Sequence, residues 1–505
     1  MKTYIILGAL LLTVCQGCKE TFLEENPRSV LNPVNFYTDE TGLNAGINAT
    51  YASMRSIYGE REEPFRLTLL GTDVYTNGKG QLGLPFDIYD TDLNPFAAEV
   101  DFVWSTCYKT INLTNTLITS AEKLSFNEQR KARIIAEAKF FRALNYFWLV
   151  QLFGDVPQKL DPTTGVITEA VRTPQAEVYK TIVDDLKYAE TNLAATYPQW
   201  GRIRKGAVQH LLSKVYLVQK DWTNAADMAK KVIQDQANYK LEEDYTRIFH
   251  WENQVNKEII YSVQYENDAT NSGSIGNQGH LYFQNSYSDI PGMQRVIQWG
   301  RPFSRFAPTP YLMKLFDKSK DERTDIWRTF DDYYYNNPAT LPAGKKVGDP
   351  IDESWRDKIE FHWTNLKYFD PTRPNVNEGR GNKDFIVFRL GETYLIAAEA
   401  LMMAGKNDEA VTYFNEIRRR AARPGVNLSV SASALNIDLI LEERGKELAG
   451  EMDRWFDLVR TGKAVERVKA YSARGQNIKA THVLRPIPQT QIDRVTIPFT
   501  QNPGY

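Results

Sequence analysis

The chain has 505 residues, 42 % apolar and 25 % charged, a globular balance that excludes a disordered protein and suffices for a large core or two domains. Its 61 basic against 63 acidic residues give a net charge of −2, without the basic excess that nucleic-acid phosphates reward, so no nucleic-acid partner is expected. Beyond the N-terminus no window approaches an uninterrupted apolar run of about 18 residues, which excludes a spanning helix in the body of the chain.

Lys2 is followed by "YIILGALLLTV", the charged-then-apolar layout of an export signal and too short for a membrane span. A lipoprotein peptidase needs a small residue immediately before the modified cysteine. Gly17 before Cys18 meets that need, and Val14 before Cys15 does not. The expectation is a signal peptide over residues 1–17 and a lipid on Cys18 that tethers a soluble body. Cys107 is then left without a partner, and no disulfide framework is expected.

The first candidate helix covers 34–57. The segment "GTDVYTNGKGQLGLPFDIYD" (71–90) reads as a loop rich in aromatic and polar side chains. Its "GKGQLG" (78–83) fits G-x-G-x-x-G formally, but no strand is predicted before it and Pro85 is expected to block a helix after it. A helix is expected at 100–124. Within 127–157, Ile134, Ala138, Phe141, Leu144 and Trp148 recur at three- and four-residue steps, predicting a helix with one buried face. Gly154 and Pro157 should end it near Phe153. Another helix is predicted from about Gln175 to Leu193.

Residues 214–233 align without gaps on 398–417, placing Leu217 on Leu401, Ala226 on Ala410 and Ile233 on Ile417. Both copies read helix, tight turn, helix, and the small residues allow close packing of the kind seen in tetratricopeptide hairpins. Between them "NKEIIYSVQYEN" (256–267) alternates Ile259, Tyr261, Val263 and Tyr265, a strand pattern. Residues 268–310 are rich in Gly, Asn, Ser and aromatics and residues 333–382 in Gly, Pro and Asp, and loops of this length are usually functional or mobile. A last helix is expected at 435–460.

Glu443, Glu447 and Glu451 fall four apart and could suggest a glycosidase carboxylate pair. Arg444, Lys446, Arg454 and Arg460 accompany them, so local ion pairing and solvated charge are the simpler account. His210, His250, His280, His362 and His482 show no metal-ligand spacing, and no G-x-S-x-G elbow occurs. No catalytic residue, metal site or cofactor is expected.

Five stretches carry a resemblance: "CKETFLEENP", Arg133 to Pro157, "NKEIIYSVQY", "ERGKELAGEMDRWFDLVRTG" (443–462) and "LRPIPQTQID…FTQNPGY". In this order they resemble the SusD/RagB family of nutrient-binding surface lipoproteins. Met452 and Asp453 stand where that family often has Gly-His. The resemblance implies a mainly α fold with tetratricopeptide-like hairpins on one side and long irregular loops with a few short strands on the other. Residues 18–505 would form one SusD-like domain, helical to about 250 and loop-rich and helical over 251–505. It further implies a non-enzymatic lipoprotein, lipid-anchored in the outer membrane and facing the cell surface, that captures an oligosaccharide for a SusC-like TonB-dependent transporter. An oligopeptide ligand, or a non-binding helical scaffold in the same complex, remains open.

Capture needs aromatic platforms beside polar groups, and the chain is 12 % aromatic. Two loops supply them: 71–90, with Asp73, Tyr75, Asn77 and Tyr89, and 280–303, with Tyr282, Tyr287, Arg295 and Trp299. Gly300 and Pro302 make Trp299 the first choice, on an expected exposed turn. Asp73 and Arg295 are expected to fix loop geometry.

Overall fold

The structure, a computed structural model, describes residues 36–266, 268 and 275–505. The signal peptide, Cys18 and "CKETFLEENP" lie outside the described residues. The fold is mainly α-helical. The principal helices are α1 (Glu40–Ser53), α2 (Glu63–Leu69), α3 (Ala98–Lys123), α4 (Glu128–Phe153), α5 (Gln175–Asn192), α6 (Lys205–Val218), α7 (Trp222–Gln234), α8 (Leu390–Met403), α9 (Asn407–Ala421), α10 (Ile437–Glu447), α11 (Arg454–Arg460) and α12 (Ala464–Tyr471). Among the described residues no helix is long and apolar enough to cross a membrane.

Local chemistry sets the helix ends. The Asn127 side chain accepts from the Arg130 amide at 3.0 Å to start α4, and Gly154, at φ +73°, takes the position after Phe153. The helix is buried on more than one face: from Ile134 to Phe153 only Lys139 and Gln151 are not buried. The cause is its central place, with α3 on one flank and α5 on the other. Its polar side chains are consequently paired. Arg142 holds Asp185 at 2.7 Å, and Glu137 accepts from Arg133, Arg202 and the Tyr51 hydroxyl.

Helices α3 to α9 pack each against the next, and α7 meets α8 directly although about 155 residues of chain separate them. The two predicted hairpins, α6–α7 and α8–α9, are therefore stacked neighbours. Their register differs from the sequence alignment by one residue. The Asp221 amide donates to the Tyr216 carbonyl as the Lys406 amide donates to that of Leu401, both at 2.9 Å. Tyr216 thus matches Leu401, Ala225 matches Ala410 and Val232 matches Ile417. Ala225, Ala410, Val232 and Ile417 are all fully buried.

Among the described residues the strands form three two-stranded antiparallel ladders: β1 (Tyr75–Asn77) with β3 (Phe306–Pro308), β2 (Ile259–Val263) with β6 (Phe385–Arg389), and β4 (Trp327–Arg328) with β5 (Thr364–Asn365). Every residue of β2 is buried, so the predicted alternation marks a strand covered on both faces. The expected 435–460 helix is two helices. Gly450 (φ +83°) and Met452 (φ +70°) adopt left-handed backbone between α10 and α11, which no helix continues through. The "GKGQLG" segment also differs from expectation. β1 leads into it, and Pro85 sits in the first turn of the short helix Leu84–Ile88, where its missing N–H costs nothing. It is no phosphate cradle, because the Gly78 and Lys79 amides are spent on the Arg305 and Ser304 carbonyls.

The main core draws Phe65, Trp104, Phe141, Trp148, Tyr261, Phe388 and Trp455 from both halves of the chain, and Cys107 is a free thiol within it. A satellite core lies under the loops. It comprises Tyr287, Ile290, Met293, Trp299, Phe330, Tyr333, Tyr335, Ile351 and Phe361.

Candidate functional site

A cleft of about 530 Å³ opens on the loop side, beside the satellite core. Trp299, Phe316, Trp327, Arg328, Tyr334 and Trp363 contribute to its walls. Of the ten tryptophans, all in described residues, Trp363 alone is exposed, at 38 %, and Tyr334 across the same cleft is 45 % exposed. Two open aromatic side chains on one concave surface distinguish this cleft.

Both aromatics are presented by pinned backbone. Trp363 immediately precedes β5, whose Thr364 pairs with Arg328 of β4. On either side of it, the Asn285 side-chain amide donates to the His362 carbonyl at 2.8 Å and the Asn285 backbone amide donates to the Thr364 hydroxyl at 3.2 Å. The His362 ring is buried, and burial pushes it down to about 4, so it is neutral and adds no charge beside Trp363. Tyr334 is the middle of three consecutive tyrosines. Tyr333 and Tyr335 are buried in the satellite core, so the extended backbone sends Tyr334 the other way. The bridge between Tyr334 and Pro350 holds that extension.

Arg328 joins the walls. It donates to the Trp299 carbonyl at 3.1 Å and the Gln298 carbonyl at 3.0 Å, with its guanidinium 5.0 Å from the centre of the Phe369 ring. Asp325 is paired with Arg423 at 2.6 Å, and Asp332 accepts from the Thr329 amide at 2.8 Å. Gln298, Thr324 and Thr329 add neutral polar groups.

Of the eight residues proposed from the sequence, only Trp299 lines this cleft, and seven are buried. Trp299 is 5 % exposed. Its turn exists, with Gly300 at φ +86°, but the indole turns inward and meets Tyr287 and Tyr333 edge-on, each with ring centres 5.3 Å away. Tyr287 stacks on Tyr333 and donates to the Gly300 carbonyl at 2.6 Å, and burial pushes its hydroxyl up to about 12. Tyr75 is fully buried in β1, its hydroxyl accepting from Asn365 at 3.0 Å. Tyr89 donates to the Gly71 carbonyl, Tyr282 to the Glu60 carbonyl, and Asn77 to the Gly80 carbonyl. These side chains close loops onto the main core and offer no open face. Asp73 is a loop anchor, gripped by Arg454 at 2.7 Å and Arg467 at 2.8 Å. Burial works to raise its carboxyl, and the two guanidiniums overcome this and hold it below its ordinary value. Arg295 is exposed and donates to Asn377 at 3.3 Å.

Glu443 and Glu447 of α10 are buried and not solvated. Glu443 meets Arg323, Arg418 and Lys446, and Glu447 meets Arg323, Arg389 and Arg420. Glu451, in the turn after α10, meets Arg389 at 2.6 Å and Lys367 at 2.5 Å. Most of these partners come from other elements. Burial pushes the Glu443 and Glu447 carboxyls upward, but Arg323 foremost on Glu443 and Arg420 foremost on Glu447 hold both well below the ordinary range. A glycosidase acid requires the opposite shift.

A second cleft, of about 580 Å³, lies at the helical side between α1, β2 and the turn 199–202, and includes Tyr51, Trp200, Arg202 and Gln264. Trp200 is half-buried under the Arg204 guanidinium, 5.4 Å from its ring centre.

Comparison with known proteins gives the chain its relatives. A family model described as the SusD family matches residues 257–505, and one described as starch-binding associating with outer membrane matches residues 21–217. The chain is 29 % identical to SusD-like protein P2 of Formosa agariphila, with 100 % of each chain covered. It is 25 % identical to the starch-binding protein SusD of Bacteroides thetaiotaomicron, over 82 % of this chain and 80 % of that one. A solved laminarin-binding SusD-like protein superposes with a TM-score of 0.74 at 26 % identity, covering 93 % of this chain and 100 % of that one.

Proposed function

The chain belongs to the SusD family, and from that premise we propose that it is a glycan-binding lipoprotein of the outer membrane whose ligand lies in the cleft between Trp363 and Tyr334. The observation that carries the reading is Trp363: the one exposed tryptophan, on a strand end fixed by bonds at both flanking residues. An aromatic face attracts the C–H face of a sugar ring, and a platform that is already immobile loses little freedom on binding. Relatives whose names state starch or laminarin binding support a sugar as the ligand. The lipid on Cys18 would tether the protein at the cell surface, and a SusC-like TonB-dependent barrel would receive the glycan, as the family resemblance implies.

Retardation of the purified full chain, in detergent, on gels containing polysaccharides tests the site. Trp363→Ala and Tyr334→Ala are each expected to weaken retention by about tenfold, equivalent to about 1.4 kcal/mol, as one aromatic face packed on a sugar ring is lost. Trp200→Ala in the second cleft is expected to leave it unchanged. Loss of retention in Trp200→Ala with both other variants unaffected would move the site to the helical side.

A further inference from the structure

Resting on that glycan-capture reading, we propose that the Trp363–Tyr334 cleft takes a neutral oligosaccharide and rejects chains bearing carboxylates or sulfates. Recognition of an anionic sugar calls for an arginine or lysine whose N–H groups are still free to meet the anion. The one arginine in the wall, Arg328, has its guanidinium fork turned to the protein: it donates to the Trp299 and Gln298 carbonyls and lies over Phe369. Arg423, behind the wall, is spent in the same way. It donates to Asp325 at 2.6 Å, to the Thr324 hydroxyl at 3.0 Å and to the Lys318 carbonyl at 2.7 Å.

Lys318 remains, exposed at the edge of the cleft, with no partner for its ammonium among the described residues. Against it stand two exposed carboxylates, Asp325 and Asp332. The lining thus carries one lysine and one arginine against two aspartates, of which Asp325 is paired with Arg423; Arg328 is held by wall carbonyls, and Lys318, exposed to solvent, is the lining cation without a partner among the described residues. A lone exposed ammonium gives an anion little, because solvent screens it. A uronate or sulfate seated between the aromatics would lie near Asp332, whose carboxylate is in no ion pair among the described residues, and against ring faces whose quadrupole is itself negative.

For a neutral sugar the same inventory is favourable. Ring faces pack on Trp363 and Tyr334, the carboxylate of Asp332 accepts from hydroxyls, and Gln298 and Thr329 donate or accept as the sugar requires. The open 530 Å³ space admits a few sugar residues of a longer chain.

The test compares two classes of polymer with the full chain in detergent: neutral glucans, mannans and xylans against polygalacturonate, alginate and carrageenan. The expected result is retention by at least one neutral polymer, lost in Trp363→Ala, and changed less than about twofold between about 50 and 500 mM salt because no ion pair is made. No anionic polymer should retain the protein. Retention by an anionic polymer that is lost in Trp363→Ala and falls steeply with salt would overturn the neutral class while leaving glycan capture at this site intact. Retention by neither class would overturn both.

Discussion

The helical side and the loop side of this molecule reach order by different routes. On the helical side, helices α3 to α9 bury apolar stripes against one another in succession, and the order is a property of the elements themselves. On the loop side the strands are two to five residues long, and order comes from the satellite core of tyrosines and tryptophans together with side chains that bond loop carbonyls. Asn285, Arg328 and Tyr287 each do this. The difference teaches where the sequence is free. The satellite core faces inward through Tyr333 and Tyr335 while Tyr334 faces out, so the open face of the cleft can vary in sequence without disturbing the layer that carries it.

The largest expected effect comes from breaking the joint where β6, α9 and α10 meet. Glu447→Gln leaves Arg323, Arg389 and Arg420 buried around a neutral group, and loss of one partner from a buried ion cluster costs about 3–5 kcal/mol. Urea denaturation at neutral pH measures it. The sign of the pH dependence follows from the depressed carboxyls. Their contribution is complete above the ordinary glutamate value of 4.5 and is lost as the pH falls below it toward their folded values. The parent protein should therefore lose stability steeply below about pH 4.5, and Glu447→Gln should lose less of its own over the same interval. An equal slope in both would show that Glu447 does not carry the acid sensitivity.

Next in size is the contrast between two tryptophans of the same cleft. Trp299→Ala empties the middle of the satellite core and should cost about 3–5 kcal/mol, as large aromatic truncations do. Trp363→Ala removes an exposed side chain and should stay within about 0.5 kcal/mol while sugar retention falls. Denaturation read beside gel retention separates the two. If Trp363→Ala were the destabilising variant, Trp363 would be a structural element and Tyr334 would be left as the open aromatic face of the cleft.

How much of this was legible in the sequence depends on the range of the forces involved. Helix α4 was readable because its period and its terminating Gly154 and Pro157 are all local. The hairpins were readable as a repeat, but their register was not. Neighbouring pairs such as Ala225 and Ala226, or Val232 and Ile233, are interchangeable in composition, and only the turn bonds choose between them. The burial of the expected platforms was not legible for a related reason: Tyr75, Tyr89, Tyr282, Tyr287 and Trp299 sit in loop-like sequence, and whether such a ring faces water is decided by distant partners such as Asn365 and Tyr333. One local signal for the open rings did exist. Three successive tyrosines cannot all face one side of an extended chain, so Tyr333–Tyr335 had to present either its middle or its ends.

The smallest expected effect lies in the turns of the two hairpins, which perform the same task with different residues. Lys220, at φ +61°, occupies the position that Gly405, at φ +77°, occupies in the second copy. A side chain in left-handed backbone costs about 1–2 kcal/mol, and part of that returns when glycine is introduced, because glycine has more freedom to lose on folding. Lys220 is exposed, so Lys220→Gly removes no buried contact and should stabilise the protein by about 0.5–1 kcal/mol. Gly405→Ala should destabilise by a similar amount through backbone strain alone, since nothing lies within 4 Å of the added carbon. Opposite signs in the two melts would establish that the turns are equivalent positions one residue out of step with the sequence alignment. The same sign in both would return the register to Leu217 on Leu401.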